Sequence, residues 1–440
     1  MYILSVDFGT SSVKSAILDE KFNIVASSKV EYNFNIKDSD KIELDPDVVF
    51  EAFVQCIHKF QNYSSKVELI AFDIFSPSVL FMDENGKALY PIITHLDRRS
   101  RRQTEQILDV MGEDEFQKIT GVLPFTGGVS VTTILWMKEN MPDIYNNSYK
   151  IGHFNTYFYK KLTGIWAIDP VNASQMGLFE TVKSQNWSKD ICNTFDININ
   201  KLPDIMYAGT IAGNLCKEVA NLTGLREGIP VALGSNDAAT AHIGADNFNP
   251  GDVLDISGSN EILTILTDKP IMNKKYYLRN AVTPGLWQIF AISTGGFAVD
   301  WFRQEFCKDM DKDEFYNKYI VEIVQNIKKT TVEFLPYLAG DRHSLEKKRG
   351  GFTGLTLDTK REDMLMSILI GMHNPIIETF DLASKFLNLN KTIKLTGGLT
   401  GGAYIQLKKM LFKGYNFKIV QDCPLIGNAK LALKALNDSL

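Results

Sequence analysis

Val6-Asp7-Phe8-Gly9-Thr10-Ser11-Ser12-Val13-Lys14 is the stretch on which the reading of this chain turns. A short apolar run from Met1 to Val6 delivers an aspartate onto a Gly-Thr-Ser-Ser turn. Val13, Ala16, Ile17 and Leu18 then resume before Asp19-Glu20 breaks the pattern. This order predicts strand, tight turn, strand. Gly9 lets the backbone approach a bound group closely, and the amides and hydroxyls of Thr10, Ser11 and Ser12 can donate to phosphate oxygens. Asp7 can hold a hydrated Mg²⁺ against such a phosphate, so the segment points to nucleotide-dependent phosphoryl transfer. A polar β-hairpin without chemistry satisfies the same residues, because Gly-Thr-Ser turns are common. A P-loop is excluded, since no G-x-x-x-x-G-K-[ST] occurs and Lys14 falls on a strand.

Outward from this turn, the chain repeats itself. Val253-Leu254-Asp255-Ile256-Ser257-Gly258-Ser259-Asn260-Glu261-Ile262-Leu263 again reads strand, Gly-Ser turn, strand. Gly258, Ser259 and Asn260 would present a second set of donors. Asp255 stands three residues before its glycine where Asp7 stands two before, so alternation turns it to the other face and makes it structural. The repeat implies two related halves across a cleft, which suits a ligand with several phosphates; chance similarity of two hairpins is the alternative. Ahead of it, Gly228 to Leu233 reads as a strand ending at Gly234-Ser235-Asn236-Asp237, followed by a helix of small residues to Gly244. Asp237 lands where a carboxylate is favoured by unpaired amides and the helix dipole. It is either a cap or a functional acid, and the small residues behind it allow close approach of another element or a ligand. Near the end, Ile393 to Leu395 leads into Thr396-Gly397-Gly398-Leu399-Thr400-Gly401-Gly402, a plausible nucleotide seat at a helix start. Asp422 follows at the distance a dinucleotide fingerprint wants, but G-x-G-x-x-G is absent, which argues against a nicotinamide or flavin site.

The intervening segments read as α/β. Asp45-Pro46 is an N-cap with proline at the first helical position, and Val49, Ala52, Phe53, Cys56, Ile57 and Phe60 follow on one helical face. Val67 to Phe75 reads as a buried strand, and Val79–Met82 with Leu89–Ile93 as a hairpin around Asp83-Glu84-Asn85-Gly86. Hairpin, helix, strand is not the parallel opening of a Rossmann domain.

With 440 residues, 45% hydrophobic and 22% charged, the chain is expected to form two or three soluble domains. A net charge of −5 leaves no footprint for nucleic acid or an anionic membrane. The cluster Arg98-Arg99-Ser100-Arg101-Arg102 reads as a solvated helix start. No apolar run is long enough to span a bilayer, and the first residues do not resemble a signal peptide. Five scattered cysteines without C-x-x-C, and six histidines without zinc spacing, fit a reducing cytoplasm and argue against a metal-ligating His/Cys site. No G-x-S-x-G elbow is present.

Taken in order, these stations resemble the FGGY carbohydrate kinases, the family of xylulose, glycerol, gluconate and related kinases. Asp7-Phe8-Gly9-Thr10-Ser11 resembles the family's first phosphate motif, and Asp97 and Arg99 match its Asp-x-Arg. Gly234-Ser235-Asn236-Asp237 resembles the segment with the catalytic aspartate, and Gly258-Ser259-Asn260 stands where Gly-Thr-Ser is usual. Phe334 to Arg342 is similar to the Leu-Pro-Tyr-x-x-Gly-Glu-Arg stretch, and Gly397-Gly398 with Gln406 to the adenosine motif. The resemblance implies two ribonuclease-H-like domains of the actin and sugar-kinase superfamily, divided here as 1–244 and 245–440, with ATP and sugar meeting between them. It implies Asp237 as general base, Asp7 at the Mg²⁺, and Gly9 to Ser12 with Gly258 to Asn260 as phosphate turns. Gly397, Gly398 and Gly401 would face the nucleoside. Asp97, Arg99 and His95 are the substrate candidates, with Arg99 alternatively one more solvated charge. The expected partner is a small sugar or polyol, not nucleic acid or membrane; a homodimer stays open. Ser76-Pro77-Ser78 departs from the family's substrate-side residues, His95 replaces a usual tryptophan, and Lys408 and Lys409 fall near its Ala-Asp. The sugar's identity is therefore unassigned. A sensor without catalysis and a chaperone-like ATPase are the rival readings.

Overall fold

The computed structural model describes residues 1–38, 40–326, 330–338, 340, 345 and 348–439. The opening hairpin forms as its alternation dictates: strand Tyr2–Phe8 pairs antiparallel with Ser12–Asp19, in a register that sets Asp7 opposite Lys14 and Phe8 opposite Val13. The Gly9 amide closes the turn on the Ser12 carbonyl at 3.0 Å. Strand Ile24–Glu31 extends the sheet antiparallel beyond the hairpin. On the other side Val67–Ile74 lies parallel to Tyr2–Phe8, followed by Pro230–Val231 and Gly213–Asn214. Ser235–Asn236 also pairs with Val67–Ile74.

The second sheet follows the same plan. Val253–Ser257 pairs antiparallel with Asn260–Thr267, which pairs antiparallel with Trp287–Thr294; on its other side Thr392–Thr396 and Asn416–Ile419 run parallel. Its turn is one residue tighter, with the Gly258 amide donating to the Asn260 carbonyl at 2.9 Å. The two halves are thus topological copies, as the repeated hairpin implies. A separate five-stranded sheet, in the order Asn35–Asp38, Lys41–Leu44, Ile92–Thr94, Ser78–Met82, Lys150–Gly152, is inserted in the first half.

Helices cover both faces of the first sheet. Helix Pro46–His58 starts at Asp45, whose carboxylate accepts from the Asp47 amide at 2.9 Å. Its Phe53 packs with Phe8 and Phe158 at ring-centroid distances of 6.2 and 5.0 Å. The opposite face is covered by the last helix, Cys423–Ser439, whose Leu425, Ala429 and Ala432 bury against Ile3, Leu18, Leu69 and Ala232. A boundary at 244/245 assigns that helix to the second half, whereas its packing partners belong to the first sheet.

The last helix also crosses helix Asp237–Gly244 at backbone contact. A Cβ on Gly244 would lie 1.9 Å from the Cys423 carbonyl oxygen, and one on Gly427 would lie 2.1 Å from that of Thr240. The small-residue run after Asp237 therefore admits another helix. Because the opposing atoms are backbone, no rotamer change relieves a clash. Gly427→Ala is expected to lower the unfolding free energy in urea by about 1–3 kcal/mol. Gly402→Ala, whose Cβ meets nothing within 4 Å, should leave it unchanged.

Candidate functional site

A cavity of about 350 Å³ lies where the two sheets approach, and Asp7, Asp237 and Gly397 line it together with Lys14 and Asp422. Three positions far apart in the chain are thus brought together: the end of the first strand, the start of helix Asp237–Gly244, and the loop after strand Thr392–Thr396.

Asp237 is fixed by its own neighbours. Its Oδ1 accepts from the Ala238 amide at 2.6 Å and from Asn236 Nδ2 at 2.8 Å. Its Oδ2 accepts no hydrogen bond from a described residue. Burial, reinforced by the charge of Asp7, raises its pKa to about 6, while the Ala238 amide and the Arg279 guanidinium hold it down.

Asp7 is backed by a second acid. Asp73 lies beside it on the adjacent parallel strand, fully buried, with Oδ2 accepting from Asn428 Nδ2 and, at 3.4 Å, from Thr240 Oγ1. Burial raises both carboxyls. Asp73 is raised further because Asp7 and Asp237 both face it. At the rim, the Lys14 ammonium is bonded to the Asp422 carboxylate.

The remaining expected phosphate and nucleoside positions, Gly9 to Ser12, Gly258 to Asn260, Gly398 and Gly401, do not themselves line this cavity. Tyr32 donates its hydroxyl to the Gly9 carbonyl and its amide to that of Ser11, leaving Thr10, Ser11 and Ser12 partly or fully exposed. Gly397, at φ 106°, packs against the Ser257 carbonyl, where a Cβ would lie 2.3 Å away. The Leu399 amide donates to that same carbonyl at 3.0 Å, so the glycine loop rests on the residue preceding Gly258. Gly398 and Gly401 have open space beside them. Of the motif Phe334 to Arg342, Ala339, Asp341 and Arg342 lie outside the described residues.

Asp97 and Arg99 are bonded to each other. Arg99 Nη2 reaches Asp97 Oδ2 and Glu43 Oε1, both at 2.7 Å, and Tyr90 donates to the same Glu43 oxygen at 2.6 Å. The Arg99 side chain is only 2% exposed. Its reading as part of a solvated cluster is therefore corrected: Glu43 comes from a distant strand and draws it inward, while Arg101 and Arg102 stay at the surface. His95 is partly exposed and meets Phe75 edge-on at 6.4 Å.

Two residues were not singled out from sequence. Asp73 stood in plain view as an acid inside an apolar strand. Arg279 is 2% exposed, lies 4.2 Å over the Phe290 ring, donates from Nε to Gln288 Oε1 at 2.6 Å, and has no described partner for Nη2. Burial lowers its pKa to about 10, against the pull of Asp237 and Asp169. Its signal was a cation in a strand with buried neighbours.

The chemistry of this lining also suits a hydrated Mg²⁺ ion. Hard carboxylate oxygens from Asp7 and Asp237 face one cavity, the chemistry Mg²⁺ takes when it keeps most of its waters. Among the described residues no three acidic, His or Cys side chains form a complete metal cage. Nor is any described helix long and apolar enough to cross a membrane.

Two like-folded halves meeting at such a cavity form the two-domain, actin-like fold seen in structures of sugar kinases. The model for the N-terminal domain of the FGGY family of carbohydrate kinases matches residues 2–244. A xylulose kinase of Staphylococcus xylosus is 24% identical over 420 residues, covering 93% of this chain and 86% of the relative. A gluconokinase of Bacillus licheniformis is 26% identical over 419 residues, with 90% and 80% covered. The crystal structure of a ligand-bound xylulose kinase from Lactobacillus acidophilus superposes with a TM-score of 0.89 at 21% identity, covering 99% of this chain and 89% of that one; this likeness establishes the fold. The chain belongs to the FGGY family of carbohydrate kinases. It is a phosphotransferase with an alcohol acceptor, and kinases of this family use ATP as donor.

Breaking a buried ion pair leaves an uncompensated charge. Arg99→Met is therefore expected to lower the unfolding free energy by about 3–5 kcal/mol, and Arg101→Met by less than about 1 kcal/mol. A small effect at Arg99 in urea denaturation would leave its side chain free for another role.

Proposed function

We propose that this chain transfers the γ-phosphoryl group of ATP, as the Mg²⁺ complex, to a hydroxyl of a small sugar, polyol or sugar acid, with Asp237 as general base. The observation that carries this reading is the convergence of Asp7, Asp237 and Gly397 on one cavity. The Oδ2 of Asp237 is the oxygen left to accept the hydroxyl proton as that oxygen attacks phosphorus. An ordinary carboxylate suffices, because the hydroxyl becomes acidic only as the P–O bond forms. On this reading the donors of Thr10 to Ser12, with Ser259 and Asn260, take charge spreading over the phosphoryl oxygens, while Gly9 and Gly258, whose amides close their own turns, let the backbone approach. Gly397, Gly398 and Gly401 take the nucleoside.

The charge around the cavity supports the cation. Asp7, Asp237 and Asp422 line it against Lys14 alone, and Lys14 is already paired. With Lys14 spent on Asp422, a triphosphate would approach Asp7 and Asp237 with no lining cation left to neutralise it, so Mg²⁺ bound with the nucleotide would supply the missing positive charge, with Asp7 at its side. Of the substrate candidates, His95 retains exposed surface, while Asp97 and Arg99 would act by holding the segment that carries it. Relatives named for xylulose and for gluconate leave both ketoses and sugar acids in view.

The test is ADP release with Mg·ATP across ketoses, aldoses, polyols and aldonic acids. Turnover on one class, falling by about 10²–10⁴ in kcat for Asp237→Asn, is the expected result. An unaffected mutant would remove Asp237 as base, and ATP consumption giving only free phosphate would favour the ATPase reading.

The pH profile gives a separate check. Asp237 must be ionised to accept a proton, and its pKa is raised to about 6. Activity should therefore rise through about pH 6 and level off above it. Arg279→Met removes a cation that favours the ionised carboxylate, so the acid limb should move to higher pH. A limb that stays in place would show that the guanidinium does not act on Asp237.

A further inference from the structure

We infer that Lys408 is a positioning residue that holds the adenosine loop and the second phosphate turn in one nucleotide-binding frame. The inference rests on the nucleotide reading of those two segments. Lys408 lies two turns into helix Gly402–Leu411, whose N-terminus is the glycine loop. Its side chain is 1% exposed, and its Nζ reaches Asp255 Oδ2 at 2.6 Å and is bonded to Glu261 Oε1, both carboxylates being fully buried. Asp255 precedes the Gly258-Ser259-Asn260 turn and Glu261 follows it, so one ammonium grips both legs of the hairpin. Ser257 Oγ lies between the same carboxylates, 3.1 Å from Asp255 Oδ1 and 3.0 Å from Glu261 Oε1.

The surrounding groups make this cross-link depend on Lys408. His373 has its Nε2 3.7 Å from Glu261 Oε1, but its Nδ1 is bound to the Leu369 carbonyl at 2.8 Å and burial keeps the ring neutral. Two acids in a sealed space thus have one cation between them. Burial opposes charge on Lys408, yet the two carboxylates outweigh it, and Lys408 stays protonated. The loop itself contributes one backbone bond to the hairpin, Leu399 N to Ser257 O at 3.0 Å, and the tight contact at Gly397. Without the lysine, the helix carrying the loop and the hairpin carrying the turn lose their only buried ionic link among the described residues. A nucleotide that touches both segments feels any shift between them, whereas the cavity acids Asp7 and Asp237 lie on other elements.

The experiment measures Mg·ADP affinity by calorimetry, with melting temperature in parallel. Lys408→Met leaves two acids unpaired, so Lys408→Met with Glu261→Gln, which removes one charge of each sign, is the main variant. It should weaken Mg·ADP by about tenfold or more while melting near the parent, and should speed amide exchange at 397–401 but not at 2–19. Ser257→Ala, the milder change, should weaken Mg·ADP in the same direction and takes over if the double variant does not fold. A folded variant that binds Mg·ADP within about twofold of the parent overturns the positioning role. A parent chain that binds no Mg·ADP overturns the nucleotide reading beneath it.

Discussion

Backbone contact between helices Asp237–Gly244 and Cys423–Ser439 is the constraint on which the arrangement depends. Gly244 and Gly427 let the two helices meet without intervening side chains, and each helix brings polar groups to the same centre. The first presents Asp237 at its start. The second supplies Asn428, which donates to Asp73 and, at 3.3 Å, to the Val6 carbonyl; the Leu425 carbonyl in turn accepts from Ser5 Oγ at 2.8 Å. Just before the second helix stands Asp422, paired with Lys14. The last seventeen residues of helix therefore fix the first strand, the acid pair behind it and the rim. A bulkier residue at either glycine would separate Asp237 from Asp7 as it separated the helices.

The two halves share a topology and differ in how they treat buried acids. In the first, Asp7 and Asp73 sit side by side on parallel strands with neutral donors around Asp73, and burial raises both carboxyls. In the second, Asp255 and Glu261 are closed off and bridged by Lys408. An unpaired buried carboxylate is costly and a bridged one much less so. On the proposed reading the division has a use: the half that carries Asp7 and Asp237 keeps charge available to a cation, and the half that carries the second turn and the glycine loop cancels its charge internally. The same hairpin can serve both purposes because the acids that make the difference lie beside the turn, not in it.

What was legible in the sequence was set by local forces. The glycine turns, the Asp45-Pro46 helix start and the position of Asp237 at a helix N-terminus follow from backbone sterics and unpaired amides within a few residues, and each stands in the structure where the sequence puts it. The repeated hairpin carried the fold further, since two like turns imply two like sheets. Residues whose meaning depends on distant partners were read less well. Arg99 has the neighbours of a surface cluster in sequence, and only Glu43, fifty-six residues away, makes it an interior charge. Lys408 was visible as a departure from a family pattern, but its link to Asp255 spans 153 residues. The alternation that turned Asp255 away from Asp7's face was local, and it correctly marked that acid as structural without naming its cation.

The same distinction explains why the reaction class is firmer than the acceptor. Phosphate and cation are met by turns and by acids at element ends, which recur as short motifs. A sugar is met by side chains converging from several segments, which leaves no short motif; on the proposed reading the segment around His95 from the first half and the apolar cluster of Ile262, Phe290 and Tyr277, packed with Ala238, from the second would surround it. Phe290 is held between a stacked Tyr277 at 5.9 Å and the Arg279 guanidinium. The same cluster meets the buried Arg279 guanidinium, whose Nη2 has no described partner, and His95 stands where the resembled family usually has tryptophan. On the proposed reading the acceptor side can therefore vary while the turns and acids that act on it stay fixed.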